Sequence, residues 1–258
     1  MTKEEIEKLE YTYLSEFYHF LKFAKRRMLN GFRTKEKIKS DWVDKWNPTE
    51  AGKEKGISSF AVGAERIVYA LFNNQGFGQP NSAPIGSDLF FETDDAFIHI
   101  DLKTVQTRNI GDYTKHIFVG DNQNSYNTEI KKANGKSFTP KRKYSPALPH
   151  QYSKGGKPCL SFFITILYNE ENLDILCINI LAMPNGTLSD EYGSDVVSAG
   201  KNPGKIRFNF YKSSEFKLLE GKPKRIKVVY LNSNIEKKFL NRLAFQKEIY
   251  DSQENDNC

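Results

Sequence analysis

Asp88, Asp101 and Lys103 are the residues in this sequence on which chemistry would rest. Asp88 heads the run Asp88-Leu89-Phe90-Phe91-Glu92, and Asp101 and Lys103 close the run Phe97-Ile98-His99-Ile100-Asp101-Leu102-Lys103. In an extended chain successive side chains alternate between faces, so Asp101 and Lys103 share one face and Leu102 takes the other. Two carboxylates brought together on adjacent strands make an oxygen-rich site for a hard divalent cation. The lysine beside them adds a donor for a phosphate oxygen or for an attacking water.

Acid-x-Lys by itself carries no information, because Glu129-Ile130-Lys131, Glu215-Phe216-Lys217, Glu220-Gly221-Lys222 and Glu236-Lys237-Lys238 have it too. The Asp101 copy differs in context. It ends an apolar strand, follows an acid-headed strand across the turn signal Asp94-Asp95, and comes after a helical stretch that carries Glu65. The competing account is a solvated polar face on an edge hairpin. Against it, residues 97–102 are apolar enough to read as interior, where an unpaired carboxylate and ammonium would be costly.

The period of the apolar residues gives the elements that must position this site. Ile6, Leu9, Tyr13, Leu14, Phe17, Phe20, Leu21, Ala24 and Met28 recur at three and four, which predicts a helix over 2–29 with Thr2 as N-cap. Residues 31–56, with Trp42, Trp46 and Pro48, read as an irregular connection with room for a short helix. Phe60, Ala64, Ile67, Val68, Leu71 and Phe72 predict a second helix, capped by Ser58 or Ser59. After a Gly/Asn/Pro-rich stretch the period falls to two, and residues 88–93 and 96–105 read as a β-hairpin. Residues 107–158 show little apolar periodicity, so they read as a functional excursion or conceal a helix. Residues 160–168 and 173–183 are nearly continuous in apolar side chains, as central strands are. Strands at 205–211 and 225–231, an amphipathic helix at 235–249 and a polar tail at 251–258 complete the chain.

The expected fold is α/β: a central mixed β-sheet holding the strands near Asp88, Ala96, Leu160 and Leu173. Helices flank it, and the N-terminal helix is read as a subdomain or dimer element. The expected organisation is a single domain over 1–258. Its parts are a helical element at 1–56, a core helix and hairpin at 57–106, an insertion at 107–158, the remaining sheet and closing helix at 159–250, and the tail.

Composition narrows the function classes. The 258 residues carry a net charge of +6, and 19 Phe with 13 Tyr place the chain far from the aromatic-poor composition of disorder. No stretch is long and apolar enough for a membrane span, and no secretory leader opens the sequence, so the expected compartment is the cytoplasm. Cys159, Cys177 and Cys258 are widely spaced and form no CxxC pair, which excludes a disulfide framework and a zinc knuckle. The sequence has no GxxxxGK or GxGxxG loop, no Ser-His-Asp spacing and no His-Asn-His pattern. Of the histidines, His19 reads as a packing residue among phenylalanines, His99 shares a strand face with Asp101, and His116 and His150 lie in the insertion.

Helix, loop, acid-headed strand, turn and a strand ending in Asp-x-Lys together resemble the core of PD-(D/E)XK nucleases, in particular type II restriction endonucleases. The resemblance covers about residues 60–105, with Ser87 standing where the family name has proline. It implies a restriction-endonuclease-like core in which Asp88 and Asp101, with the backbone carbonyl of Leu102, hold Mg2+ against the scissile phosphate, while Lys103 orients and deprotonates the attacking water. Many relatives supply a further acid from the preceding helix, which here would be Glu65. The alternative for Glu65 is a surface glutamate paired with a lysine or with Arg66. Gln106 lies just beyond the motif and could reach the site or simply end the strand.

The implied activity is hydrolysis of phosphodiester bonds at a specific sequence in double-stranded DNA. A homodimer would act on a palindrome, and a cognate methyltransferase would be a genetic partner only. Placed after such a strand, the insertion reads as DNA-contacting. Lys115, Lys141, Arg142 and Lys143 would neutralise phosphates, Arg108, Asn122 and Asn124 have the groups to read phosphate or base edges, and Tyr144 is interleaved with them. A solvated loop is the alternative for any one of these residues. Two other functions share much of this pattern: a structure-selective or repair nuclease with the same site, and a DNA-binding protein without catalysis.

Overall fold

The computed structural model describes residues 1–37, 57–73, 75–80, 88–119, 128–134, 137–144, 148–152, 156–186, 188–193, 196–199, 206–210, 216–219 and 223–255. The strands among them are β1 (Gln79–Pro80), β2 (Leu89–Glu92), β3 (Phe97–Gln106), β4 (Ile117–Val119), β5 (Thr128–Asn134), β6 (Ser137–Tyr144), β7 (Cys159–Tyr168), β8 (Ile175–Met183), β9 (Val197–Ala199), β10 (Ile206–Phe208) and β11 (Ile226–Leu231). The central sheet has the order β1-β2-β3-β7-β8-β11. Its β3–β7 pair is parallel, in register from Phe97↔Cys159 to Gln106↔Tyr168, and its other pairs are antiparallel. The sheet is mixed, as the sequence predicts.

Parallel neighbours cannot be joined by a tight turn and need a crossover connection. Residues 107–158 are that crossover, which gives the long, weakly periodic insertion a topological reason. It is not irregular throughout, and here the structure corrects the sequence reading. It contains a helical turn, α3 in chain order (Gly111–Thr114), the strand β4, and the hairpin β5–β6. The strand β4 pairs with β10, and β10 with β9, in a second, small sheet, and β5 of the hairpin lies along β9. The three-residue strand β4 finds its partner β10 about 90 residues away, so local periodicity carries little trace of it.

The strands β7 and β8 are buried at every position, because the central sheet is covered on both faces. On one face lie α1 (Lys3–Lys37) and α2 (Ile57–Phe72), with Leu14, Phe17, Leu21, Met28, Phe72 and Phe162 in the core. On the other, Phe163, Leu167 and Leu181 pack with Phe208, Leu243 and Ile249. Each fully buried side chain of this size contributes about 1.5–3 kcal/mol.

The helix α1 starts where expected. Thr2 Oγ1 accepts from the Glu5 backbone N–H at 3.2 Å while Glu5 Oε2 accepts from the Thr2 N–H at 2.7 Å, a reciprocal cap. It runs to Lys37 rather than ending near 29, and its buried stripe is part of the core rather than a separate subdomain. Phe17 meets Phe72 and Phe162 edge-on at 5.6 and 5.2 Å. Glu10 and Arg225, each 1% exposed, pair at 2.7 Å, and Glu10 also accepts the Asn185 N–H at 2.6 Å while Arg225 donates to Tyr192 Oη at 3.0 Å. A buried ion pair repays its desolvation only with such further hydrogen bonds.

Smaller corrections have local causes. His19 is exposed on the outward face of α1, edge-on to Tyr18, because the buried stripe runs through 14, 17, 21 and 28. The helix α2 begins at Ile57, so Ser58 and Ser59 lie within it and do not cap it. Between 188 and 255 the helices are α4 (Leu188–Tyr192), α5 (Lys237–Arg242) and α6 (Ala244–Asn255). The closing helix is thus two helices, broken at the fully buried Leu243 (φ −94°, ψ 18°), and part of the tail is helical. Among the described residues no helix is long and apolar enough to cross a membrane.

Candidate active site

The hairpin that carries the acids is held from below by α1. Thr93 closes the turn, its N–H donating to the Ala96 carbonyl at 2.9 Å, and Tyr13 Oη donates to Asp95 Oδ1 at 2.5 Å. From that turn β2 and β3 pair outward, Glu92 opposite Phe97 and Leu89 opposite Ile100. The pairing stops there. Beyond Ile100 the edge of β3 has β7 on one side and no described strand on the other.

Asp88 occupies that opening. Its Oδ2 accepts the Leu102 N–H at 2.6 Å, in the place of the missing strand partner. In a strand the N–H and C=O of one residue lie on the same side, so the Leu102 carbonyl faces the same opening as the Asp88 carboxylate. Alternation sends Asp101 and Lys103 to the other face, as the sequence predicts. Asp101 is 2% exposed and ion-pairs with Lys103 Nζ. Burial pushes its carboxyl up to about 7, opposed by Lys103 and reinforced by Asp88, which is within hydrogen-bonding contact.

Glu65 reaches the opening from α2. Burial raises its carboxyl above the ordinary range, and the nearby Asp88 adds to that, with Lys103 and Arg66 opposing. It lines an open cleft of about 300 Å3 together with Arg66, Tyr69, Asp88 and Leu102. Arg66 and Tyr69, both exposed, were not evident from the sequence as site residues. Their only signal is helical spacing, which sets them one position and one turn beyond Glu65.

The remaining candidates separate cleanly. His99 lies on the Asp101 face but is fully buried; neither ring nitrogen has a hydrogen-bond partner among the described residues, and burial, with the Lys103 charge, pushes the ring down to about 3. It is a neutral core residue and not a proton carrier at working pH. Gln106 projects to the opposite face and donates to Tyr168 Oη at 3.0 Å, away from the opening. Arg108 and Lys115 are exposed on the insertion. Lys141, Arg142, Lys143 and Tyr144 lie on β6, where the backbone alone is described, and Asn122 and Asn124 lie outside the described residues.

Among the described residues no three Asp, Glu, His or Cys side chains close into a metal cage. Asp88, Asp101 and the Leu102 carbonyl form an open set of hard oxygens instead. That donor set fits Mg2+, which keeps several waters and takes one or two carboxylates plus phosphate. The raised Asp101 carboxyl fits as well, since crowded, poorly solvated carboxylates are stabilised by a cation.

Comparison with known proteins gives the family and the fold. Residues 2–172 match the family model of the N-terminal domain of the type II restriction enzyme MwoI, and residues 175–231 match that of its central domain. The fold is similar to that of the restriction endonuclease BglI bound to its DNA recognition sequence, with 15% identity, a TM-score of 0.59, and coverage of 90% of this chain and 92% of that one. It is also similar to that of the tetrameric restriction endonuclease SfiI bound to cognate DNA, with 16% identity, a TM-score of 0.60, and coverage of 91% and 88%. A search of curated proteins found no significant match.

Proposed function

The chain belongs to the family of the type II restriction enzyme MwoI and is a site-specific deoxyribonuclease, and we propose that the hairpin opening is where it cuts. The observation that carries this reading is the clasp of Asp88 on the Leu102 N–H, which turns one carboxylate and one backbone carbonyl to the same stretch of the β3 edge, without a strand partner among the described residues, beside Asp101 and Lys103. Type II restriction enzymes as a class use divalent metal ions; here the ion is Mg2+, held by Asp88, Asp101 and the Leu102 carbonyl. When bound, it polarises the scissile phosphate and lowers the pKa of its water.

The protein's own groups do the rest. Lys103 places an ammonium at the reacting phosphate, where it orients the attacking water and stabilises the negative charge that develops as the P–O bond breaks. Glu65 adds a third carboxylate at the rim, able to hold a water or to receive its proton. Arg66 and Tyr69 present a cation and a hydroxyl to the DNA backbone beside the cut. The substrate is double-stranded DNA bound by a homodimer, in which two-fold symmetry presents one site to each strand of a palindrome. A cognate methyltransferase would protect the host sequence.

Digestion of a plasmid of known sequence with purified protein and Mg2+ should give discrete fragments whose ends share one sequence. Random ends, cuts confined to flaps or junctions, or intact plasmid after prolonged incubation would overturn the reading. The β5–β6 hairpin bears the basic run Lys141-Arg142-Lys143, which we assign to phosphate contact with Arg108 and Lys115, and we assign Asn122, Asn124 and Tyr144 to DNA contact. Replacing Lys141, Arg142 and Lys143 together by alanine should weaken DNA binding. It should also flatten the plot of log affinity against log salt by up to about one unit per lost contact. An unchanged slope would place the DNA elsewhere.

A further inference from the structure

Lys103 carries its charge on a flexible four-carbon stem, and a group that must stand at a reacting phosphate needs that freedom removed. Asp101 restrains it on one side. Two aromatic rings face it as well: the ammonium stands 5.4 Å from the centre of the Phe118 ring and 5.8 Å from that of Phe163, both inside the range of a cation–π attraction. Phe163 is a fully buried core residue of β7, paired in register with Asp101. Phe118 is different. It is partly exposed on β4, in the crossover, and its strand neighbours Ile117 and Val119 are buried in the opposite direction.

The strand that presents Phe118 is itself pinned. Phe118 pairs with Arg207 of β10, and Arg207 grips Asp112 at 2.8 and 3.2 Å through two guanidinium nitrogens, with His116 Nδ1 2.9 Å from the same carboxylate. Against the push of burial, hydrogen bonding to His116 and Arg207 holds Asp112 well below the usual carboxylate range, so its charge persists at any working pH. A charged, bidentate pair of this kind fixes geometry as well as energy.

We infer that Phe118 is a positioning residue for cleavage, its ring face holding the Lys103 ammonium at the reacting phosphate. The inference rests on the reading of Lys103 as catalytic. It assigns to the crossover a part in catalysis as well as in DNA contact. An aromatic face is what the position requires, so an aliphatic side chain of similar volume does not replace it.

The test is single-turnover cleavage, in Mg2+, of a duplex containing the sequence found at the plasmid ends. Phe118→Leu should cut about tenfold more slowly, a loss in the range of one desolvated cation–π contact. Affinity for the same duplex, measured without divalent ion, should stay unchanged. Phe118→Tyr should cut near the wild-type rate. In the carbon–proton NMR spectrum of the metal-free protein the Lys103 ε-methylene should be shifted upfield by the ring, and Phe118→Leu should remove that shift while Phe118→Tyr keeps it. In a Lys103→Ala background, Phe118→Leu should cause no further loss. Equal slowing by leucine and tyrosine, or a wild-type rate for leucine, would overturn the assignment while leaving Lys103 catalytic. If leucine prevents folding, Phe118→Met supplies the aliphatic comparison. A wild-type rate for Lys103→Ala would instead remove the reading beneath it.

Discussion

Replacing Asp101 by alanine should leave a folded, DNA-binding protein that makes no detectable cut. The side chain is 2% exposed and small, so its loss leaves a minor void, while the phosphate-contacting cations are untouched. What disappears is one of two carboxylates facing the opening beside the Leu102 carbonyl. Removal of a single electrostatic group acting on the transition state costs on the order of a hundredfold to a thousandfold, and here the position of the metal goes with it. Wild-type cleavage by this variant would remove Asp101 from the site.

The same residue gives a readout that needs no cleavage. Folding raises the Asp101 carboxyl to about 7, which means that the native state favours the neutral form. Its contribution to stability is therefore full below the ordinary carboxylate range and is lost as the pH rises through about 7. Without divalent ion, the unfolding midpoint of the wild type should fall relative to that of Asp101→Asn over this rise. Added Mg2+ should raise the wild-type midpoint at alkaline pH and leave the asparagine variant where it was. Parallel pH profiles for the two proteins, with equal responses to Mg2+, would mean that the site holds no ion through Asp101.

Lys103→Ala separates loading from chemistry. Both carboxylates and the Leu102 carbonyl remain, so Mg2+ should still stabilise the protein. The attacking water loses its partner and the developing charge loses a donor. Single-turnover cleavage should therefore slow by roughly a hundredfold or more. Lys103→Arg should not restore the rate. The planar guanidinium does not fit the compact position between Asp101 and the two ring faces, and it does not release a proton.

Much of this was legible in the sequence, and the reason is local. The order of two along residues 96–105 dictates that Asp101 and Lys103 share a face, whatever the rest of the chain does. The stripes of α1 and α2 and the apolar runs of β7 and β8 declare burial on one face or on both, because each residue's neighbours along the chain decide its exposure. The family resemblance rested on the same short stretch, and the matches to the MwoI family agree with it.

The tertiary structure decided what depends on partners distant in sequence. Residues 107–158 show little period because β4 gains its order from β10, far along the chain, and an edge strand of three residues leaves no readable period. Where Glu65 and Gln106 sit turned on how the elements pack: Glu65 lines the cleft with Asp88 and Leu102, whereas Gln106, further along the same face of β3, is engaged by Tyr168. His19 among its phenylalanines shows the same limit, since only the docked helix defines which face is inside. The sequence by itself determined the residue types and the strand faces of the site, because those follow from covalent spacing. The end of the β2–β3 pairing at Leu89 and Ile100, beyond which the Asp88 carboxylate takes the Leu102 N–H, was decided by the folded chain, because strand register depends on how two segments meet and not on the spacing within either.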